Sequence, residues 1–184
     1  MKNLFRLWVF MIFYLCSFSG YGQGGTFLGG TFSAGITLHK SAGFYFENGV
    51  SAQYSSESIL NNKLLLGLHL VNSRLGTAFQ SNAVKQGRIY LSGHYRFLSK
   101  KSLNILTGVN TGWFHANYES DLFKDLTNNS MILAADLGLQ YTVVEKLTTR
   151  TTLGYNLISG NGESGAGTLY PVFYQFTLLW NFSK

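Results

Sequence analysis

The chain is 184 residues long, carries 14 Lys and Arg against 8 Asp and Glu for a net charge of +6, and is 16% aromatic but only 12% charged. That length fits one domain with a real core, and the lack of any Lys/Arg cluster argues against a protein that tracks nucleic-acid phosphates. One proline among 21 glycines suits long paired strands, because proline cannot donate to a ladder. Past the N-terminus no apolar run approaches the ~20 residues of a spanning helix, so a membrane role requires a barrel.

The N-terminus reads as a secretory signal. Lys2 and Arg6 make its positive start, residues 7–18 its apolar stretch, and small residues then offer cleavage after Ser19 or Gly22. The expected division is a signal peptide over 1–22 and a barrel over 23–184. Cys16, the single cysteine, lies in this leader behind Leu15, which is too large for a lipoprotein signal. The exported chain then has no disulfide and no thiol, and without Lys2 and Arg6 its net charge is +4, from 12 basic and 8 acidic residues.

Alternation of large apolar with small or polar side chains predicts eight strands. The first, 27–38, sets Leu28, Phe32, Ala34, Ile36 and Leu38 against Gly29, Thr31, Ser33, Gly35 and Thr37, and residues 39–42 follow as a short link. The second, 43–55, sets Phe44, Phe46, Val50, Ala52 and Tyr54 against Glu47, Ser51, Gln53 and Ser55. The third starts at Lys63, with Leu64, Leu66, Leu68 and Leu70 opposite Gly67, His69 and Ser73. The fourth, 88–97, sets Ile89, Leu91, Tyr95 and Phe97 against Tyr90, Ser92, His94 and Arg96. The fifth, 103–115, places Leu103, Ile105, Val109 and Trp113 opposite Asn104, Gly108, Asn110 and Gly112. In the sixth, 131–143, Leu133, Ala135, Leu137, Leu139 and Tyr141 oppose Ala134, Asp136, Gly138 and Gln140. The seventh, 147–158, sets Leu147, Leu153, Tyr155 and Leu157 against Arg150, Thr152, Gly154 and Asn156. The chain closes on 173–182, where Tyr174, Phe176, Leu178, Trp180 and Phe182 share one face.

One face is thus nearly free of charge in every strand, while Gly, Ser, Thr, Asn, Gln and the mid-strand charges gather on the other. A soluble barrel packs branched apolar residues inward and shows a charged outer face. Here the polar face is short-chained and Gly-rich, which suits a lipid-facing wall around a small polar lumen. Strands of about ten residues tilted near 45° cover a bilayer core, and closure removes edges that hydrocarbon cannot satisfy. The expected fold is therefore all-β, an eight-stranded antiparallel up-and-down transmembrane β-barrel, with a periplasmic lipocalin-like barrel as the soluble alternative. Short turns near 56–62, 98–102 and 144–146 alternate with longer segments at 76–87, 117–130 and 159–171, as in barrels whose termini lie in the periplasm. Aromatics sort by height into a lipid-facing girdle of Tyr54, Tyr95, Phe97, Tyr141, Trp180 and Phe182 at the periplasmic side. Phe44, Phe46, Trp113 and Tyr174 form its outer counterpart.

At this point the chain resembles the small eight-stranded outer-membrane barrels typified by the OmpA membrane domain and OmpX, and in texture the short porin-like barrels of Bacteroidota. The aromatic C-terminal strand, the Tyr95-Arg96-Phe97-Leu98-Ser99-Lys100-Lys101 strand end and the Leu139-Gln140-Tyr141 strand end carry the likeness. It implies the outer membrane of a Gram-negative bacterium, outer-membrane lipid and lipopolysaccharide as surroundings, and recognition of the last strand by the barrel-assembly machinery. It carries over no catalytic residue.

The inward ionisable set is Glu47, His69, His94, Arg96, Asp136 and Arg150. Ions in a lumen just wide enough for side chains have to be paired or hydrated. The set reads as a polar plug in which Asp136 and Glu47 balance Arg96 and Arg150, with the histidines hydrogen-bonded between and His69 near His94 or Arg96. A narrow path for water, protons or small ions is the second reading. A histidine pair as metal ligands is a third, short of an obvious third donor. Enzymes that modify lipid A place His and Ser at the outer rim; His115 suits that position, but the sequence continues Ala116-Asn117 without a serine. The Gly-rich 160–167 follows no strand-to-helix pattern and reads as a surface loop. The expectation is a monomeric structural or surface-interaction barrel with no cofactor, no metal and no nucleic-acid partner. A narrow channel and a lipid A-modifying enzyme stand as alternatives.

Overall fold

The computed structural model describes residues 30–41, 47–56, 59–75, 84–100, 102–121, 128–159 and 171–182. The signal reading, the start of the expected second strand with Phe44 and Phe46, and the Gly-rich 160–167 lie outside them.

Eight antiparallel strands close into a barrel in simple sequence order: β1 (Gly30–Ser41), β2 (Glu47–Ser56), β3 (Leu64–Leu75), β4 (Val84–Lys100), β5 (Leu103–Tyr118), β6 (Asn129–Val144), β7 (Leu147–Ser159) and β8 (Val172–Asn181). Closure comes from β1 pairing with β8, with Ala34 opposite Trp180 and Thr37 opposite Thr177. Among the described residues no helix is long and apolar enough to cross a membrane.

The register gives the stagger. Followed from Thr37 through Gly49, Val71 and Arg88, the pairing reaches Phe114 on β5. Followed the other way, through Thr177, Arg150 and Gln140, it reaches Asn104, ten positions from Phe114. Eight strands with that stagger are tilted, and residues at one height advance by slightly more than one position from strand to strand.

The wall is inside-out relative to a soluble protein. Ile36, Val109 and Leu137 are 60–61% exposed, and Leu66, Leu68, Phe176 and Trp180 also face out, whereas Asp136 and Arg150 are 5% and 3% exposed. The periplasmic girdle expected from the sequence faces out: Tyr95, Phe97, Tyr141, Trp180 and Phe182 are exposed, as are Trp113 and Tyr174 toward the other end, while Tyr54 is half-buried.

Several strand ends lie beyond their sequence-based limits. β4 and β5 pair as far as Val84 and Tyr118, and β3 with β4 as far as Leu75 and Val84, so the connection at 76–83 is shorter than alternation suggests. β1 runs on through Ser41, with His39 pairing Glu47 and Gln175; the expected link at 39–42 is strand through residue 41. The β2–β3 connection includes a single 3-10 turn at Leu60–Asn62.

Candidate functional site

The lumen is built in levels between the end bearing the tight turns and the end bearing the long connections. At mid-height, the stagger brings Thr37, Ser51, His69, Ser92, Asn110, Asp136, Thr152 and Gln175 to one ring, all of them buried. Much of the ring is a hydrogen-bonded chain. Thr177 and Thr37 hydroxyls lie 3.0 Å apart, Thr37 and Ser51 hydroxyls 2.5 Å, Ser51 Oγ and His69 Nδ1 2.7 Å, and His69 Nε2 and Ser92 Oγ 2.8 Å. On the far side Asn110 Nδ2 donates to Asp136 Oδ2 at 2.6 Å. His69 also stacks on Tyr90, centroids 4.7 Å apart.

One level toward the turns come His94 and Arg150. His94 Nε2 lies 2.9 Å from Asp136 Oδ1 and 3.2 Å from Oδ2, to which it donates. Gly108, which also faces inward, makes room for the imidazole: a Cβ there would run into the ring of His94. Arg150 donates to Gln140 Oε1 from Nη2 at 2.8 Å and from Nε at 3.3 Å. Farther down, Leu65, Leu106 and Leu179 turn inward and are fully buried.

Toward the other end, Arg88 is 7% exposed. Its Nη2 donates to Gln86 Oε1 at 2.9 Å and to Ser41 Oγ at 3.1 Å, and Nη1 lies 3.4 Å from His39 Nε2. The His39 ring stacks on Phe173 at 5.5 Å. Phe173 joins Phe114, Ala116, Ile132 and Ala134 in an apolar cluster that covers this side of the lumen. Between the cluster and Arg88 lies a void offering about 10 Å³ to the centre of a water molecule, lined also by Tyr90, Asn110 and Asn156. That is room for one water. His39 Nδ1, Asn110 Oδ1 and Asn156 Nδ2 line it without a partner among the described residues.

The sequence-predicted set divides accordingly. His69, His94, Asp136 and Arg150 are brought together inside the barrel. Arg96 is half-buried at the turn end, beside a register shift at Leu98; among the described residues it makes no ion pair with Asp136. The side chain of Glu47 lies outside the described residues. Of the expected four-way balance, Asp136 and Arg150 do act on each other through space, while the direct hydrogen bonds of the Asp136 carboxylate come from His94 and Asn110 and those of Arg150 go to Gln140. The expected nearness of His69 to His94 holds at electrostatic range on the adjacent strands β3 and β4, without the two rings facing each other. Pairing up to Leu75 and Val84 sets His69 opposite Tyr90 and His94 opposite Leu65. Sequence reasoning passed over His39 and Arg88. Arg88 had a usable signal, since it shares the inward parity of Tyr90, Ser92 and His94. His115 faces out and is exposed, its Nδ1 2.8 Å from Asn129 Oδ1.

No protein-family model matches the chain, and no curated protein matches it. Solved structures do. The N-terminal β-barrel domain of Pseudomonas aeruginosa OprF superposes with a TM-score of 0.53 at 15% identity, covering 84% of this chain and 98% of that one. The outer membrane protein OprG from the same organism gives 0.51 at 16%, covering 85% and 97%. Neisserial surface protein A gives 0.50 at 16%, covering 83% and 93%. The chain has the fold of the small eight-stranded outer-membrane β-barrels, a transmembrane barrel closed by antiparallel neighbours throughout.

Proposed function

We propose that the protein is an integral outer-membrane barrel of a Gram-negative envelope, exported by a signal peptide over residues 1–22 and serving a structural or surface-interaction role with a closed lumen. The observation that carries this reading is the filled interior. A hydrogen-bonded chain runs from Thr177 through Thr37, Ser51 and His69 to Ser92, and across the mid-height ring Asn110 bonds Asp136. The void near Arg88 admits one water, not a hydrated ion. A conducting path would have to break a buried ion pair and its hydrogen bonds, whose loss costs several kcal/mol. The long β4, β5 and β6 support the surface role, because they raise a paired wall above the level at which β1 and β2 end.

Planar-bilayer recording tests the closed lumen. The expected result is a silent membrane at protein levels that give folded insertion. Steady single-channel currents that change in Asp136→Ala or Arg150→Ala would establish the channel alternative instead. Comparison of lipid A from cells with and without the protein tests the enzyme alternative, and an unchanged acyl pattern is expected.

A further inference from the structure

Three buried polar side chains from three strands, β1, β5 and β7, end at one void. His39, Asn110 and Asn156 are 1%, 3% and 7% exposed, and all three line the small space between Arg88 and the apolar Phe173 and Ile132. His39 Nδ1, Asn110 Oδ1 and Asn156 Nδ2 have no hydrogen-bond partner among the described residues. Buried polar atoms are costly to leave unpaired, so three of them around one void call for a shared partner.

Neighbouring groups fix what each atom offers. Arg88 Nη1 lies 3.4 Å from His39 Nε2. A guanidinium only donates, so Nε2 carries the lone pair, the imidazole is neutral, and its proton sits on Nδ1. Asn110 Nδ2 donates to Asp136 Oδ2 at 2.6 Å, which leaves the amide oxygen of Asn110 for the void. The void therefore meets donors from His39 and Asn156 and an acceptor from Asn110. A halide would take the donors but face the Asn110 oxygen. A metal cation would face two N–H groups beside the Arg88 guanidinium. A water satisfies all three, accepting twice and donating once, and three bonds are typical of a buried water. The space, about 10 Å³ to the centre of a water molecule, holds one.

We propose that this void binds one ordered water, which completes a donor chain running from Arg88 to Asp136. Arg88 donates to His39, His39 to the water, the water to Asn110, and Asn110 to Asp136. Every bond points the same way, from guanidinium to carboxylate, so each polarises the next. Two charges with no direct bond among the described residues are thereby joined across the lumen through neutral groups. Ile132, Ala134 and Phe173 wall the site with apolar surface, which slows exchange with bulk solvent. The inference rests on the closed-lumen reading above and names a solvent site within it.

The test uses purified full-length barrel in detergent micelles, isotope-labelled at its histidines and first shown to migrate as a folded, heat-modifiable band. NMR is expected to find His39 protonated on Nδ1 and bare on Nε2, with a cross-peak from that proton to a long-lived water. A proton on Nε2, or no water cross-peak, overturns the proposal. Sodium bromide should leave the His39 signals in place, and a saturable bromide-dependent shift would make this an anion site instead. Asn156→Leu asks the same question through the sign of a stability change. Losing a bond to bound water should lower the urea midpoint in lipid vesicles, whereas removing an unpaired amide from a dry void should raise it. An unchanged or raised midpoint overturns the proposal. If the variant does not fold, the wild-type NMR decides. Planar-bilayer currents would count against the closed lumen, whereas a silent barrel with a dry void counts against this site alone.

Discussion

Asp136 is the residue on which the interior electrostatics turn. Its carboxylate accepts from His94 and Asn110, and it is 5% exposed. Removing it strands an imidazole, an amide and, one level away, the Arg150 guanidinium in a lumen with little water to replace them. Asp136→Ala should therefore cost about 3 kcal/mol, within the range for breaking one side of a buried pair. Asp136→Asn keeps an acceptor oxygen and should cost clearly less. Urea unfolding in lipid vesicles measures both, and equal losses would show that the charge and its hydrogen bonds contribute nothing specific. Gly108→Ala tests the same contact from the opposite wall. The added methyl drives into the His94 ring, so the variant should lose stability, and combining it with Asp136→Ala should add little, because both act through His94. Full additivity would separate the two.

At the scale of the strand, parity did most of the work. Alternation assigned each strand its face because one misplaced residue would turn a whole leucine row inward, and every exposed member of the Leu66, Leu68, Leu137 and Leu139 set bears that assignment out. Strand ends were less legible. Residues 84–87 and 116–118 are mixed in polarity, so nothing in their period distinguishes paired wall from loop. They are strand because β4 and β5 pair above the level where β1 and β2 stop. Those few residues also set the β3–β4 register, which is why His69 meets Tyr90 rather than His94. Hydrogen-bond partners across the lumen depend on stagger as well as parity, and stagger is a property of the closed barrel that no single strand encodes. The lipid-facing assignment makes its own prediction at this scale. Leu137, at mid-height, replaced by Arg should cost about 2–4 kcal/mol in vesicles, and Tyr174→Lys near the interface about 0–1 kcal/mol. A barrel whose outer face met water would tolerate both.

For the molecule as a whole, closure and inversion go together. A sheet with leucines outside and serines, glycines and ions inside has no stable open form in either solvent: water rejects the outer face, and hydrocarbon rejects an unpaired edge. β1 and β8 therefore have to meet, and the aromatic face of β8 has to meet lipid. Quenching of Trp113 and Trp180 fluorescence in vesicles tests this most directly. Both side chains are about half exposed on the outer wall, so brominated acyl chains should quench them strongly, while an aqueous quencher such as iodide should barely reach them. The reverse pattern, iodide effective and brominated lipid silent, would contradict the membrane-facing wall.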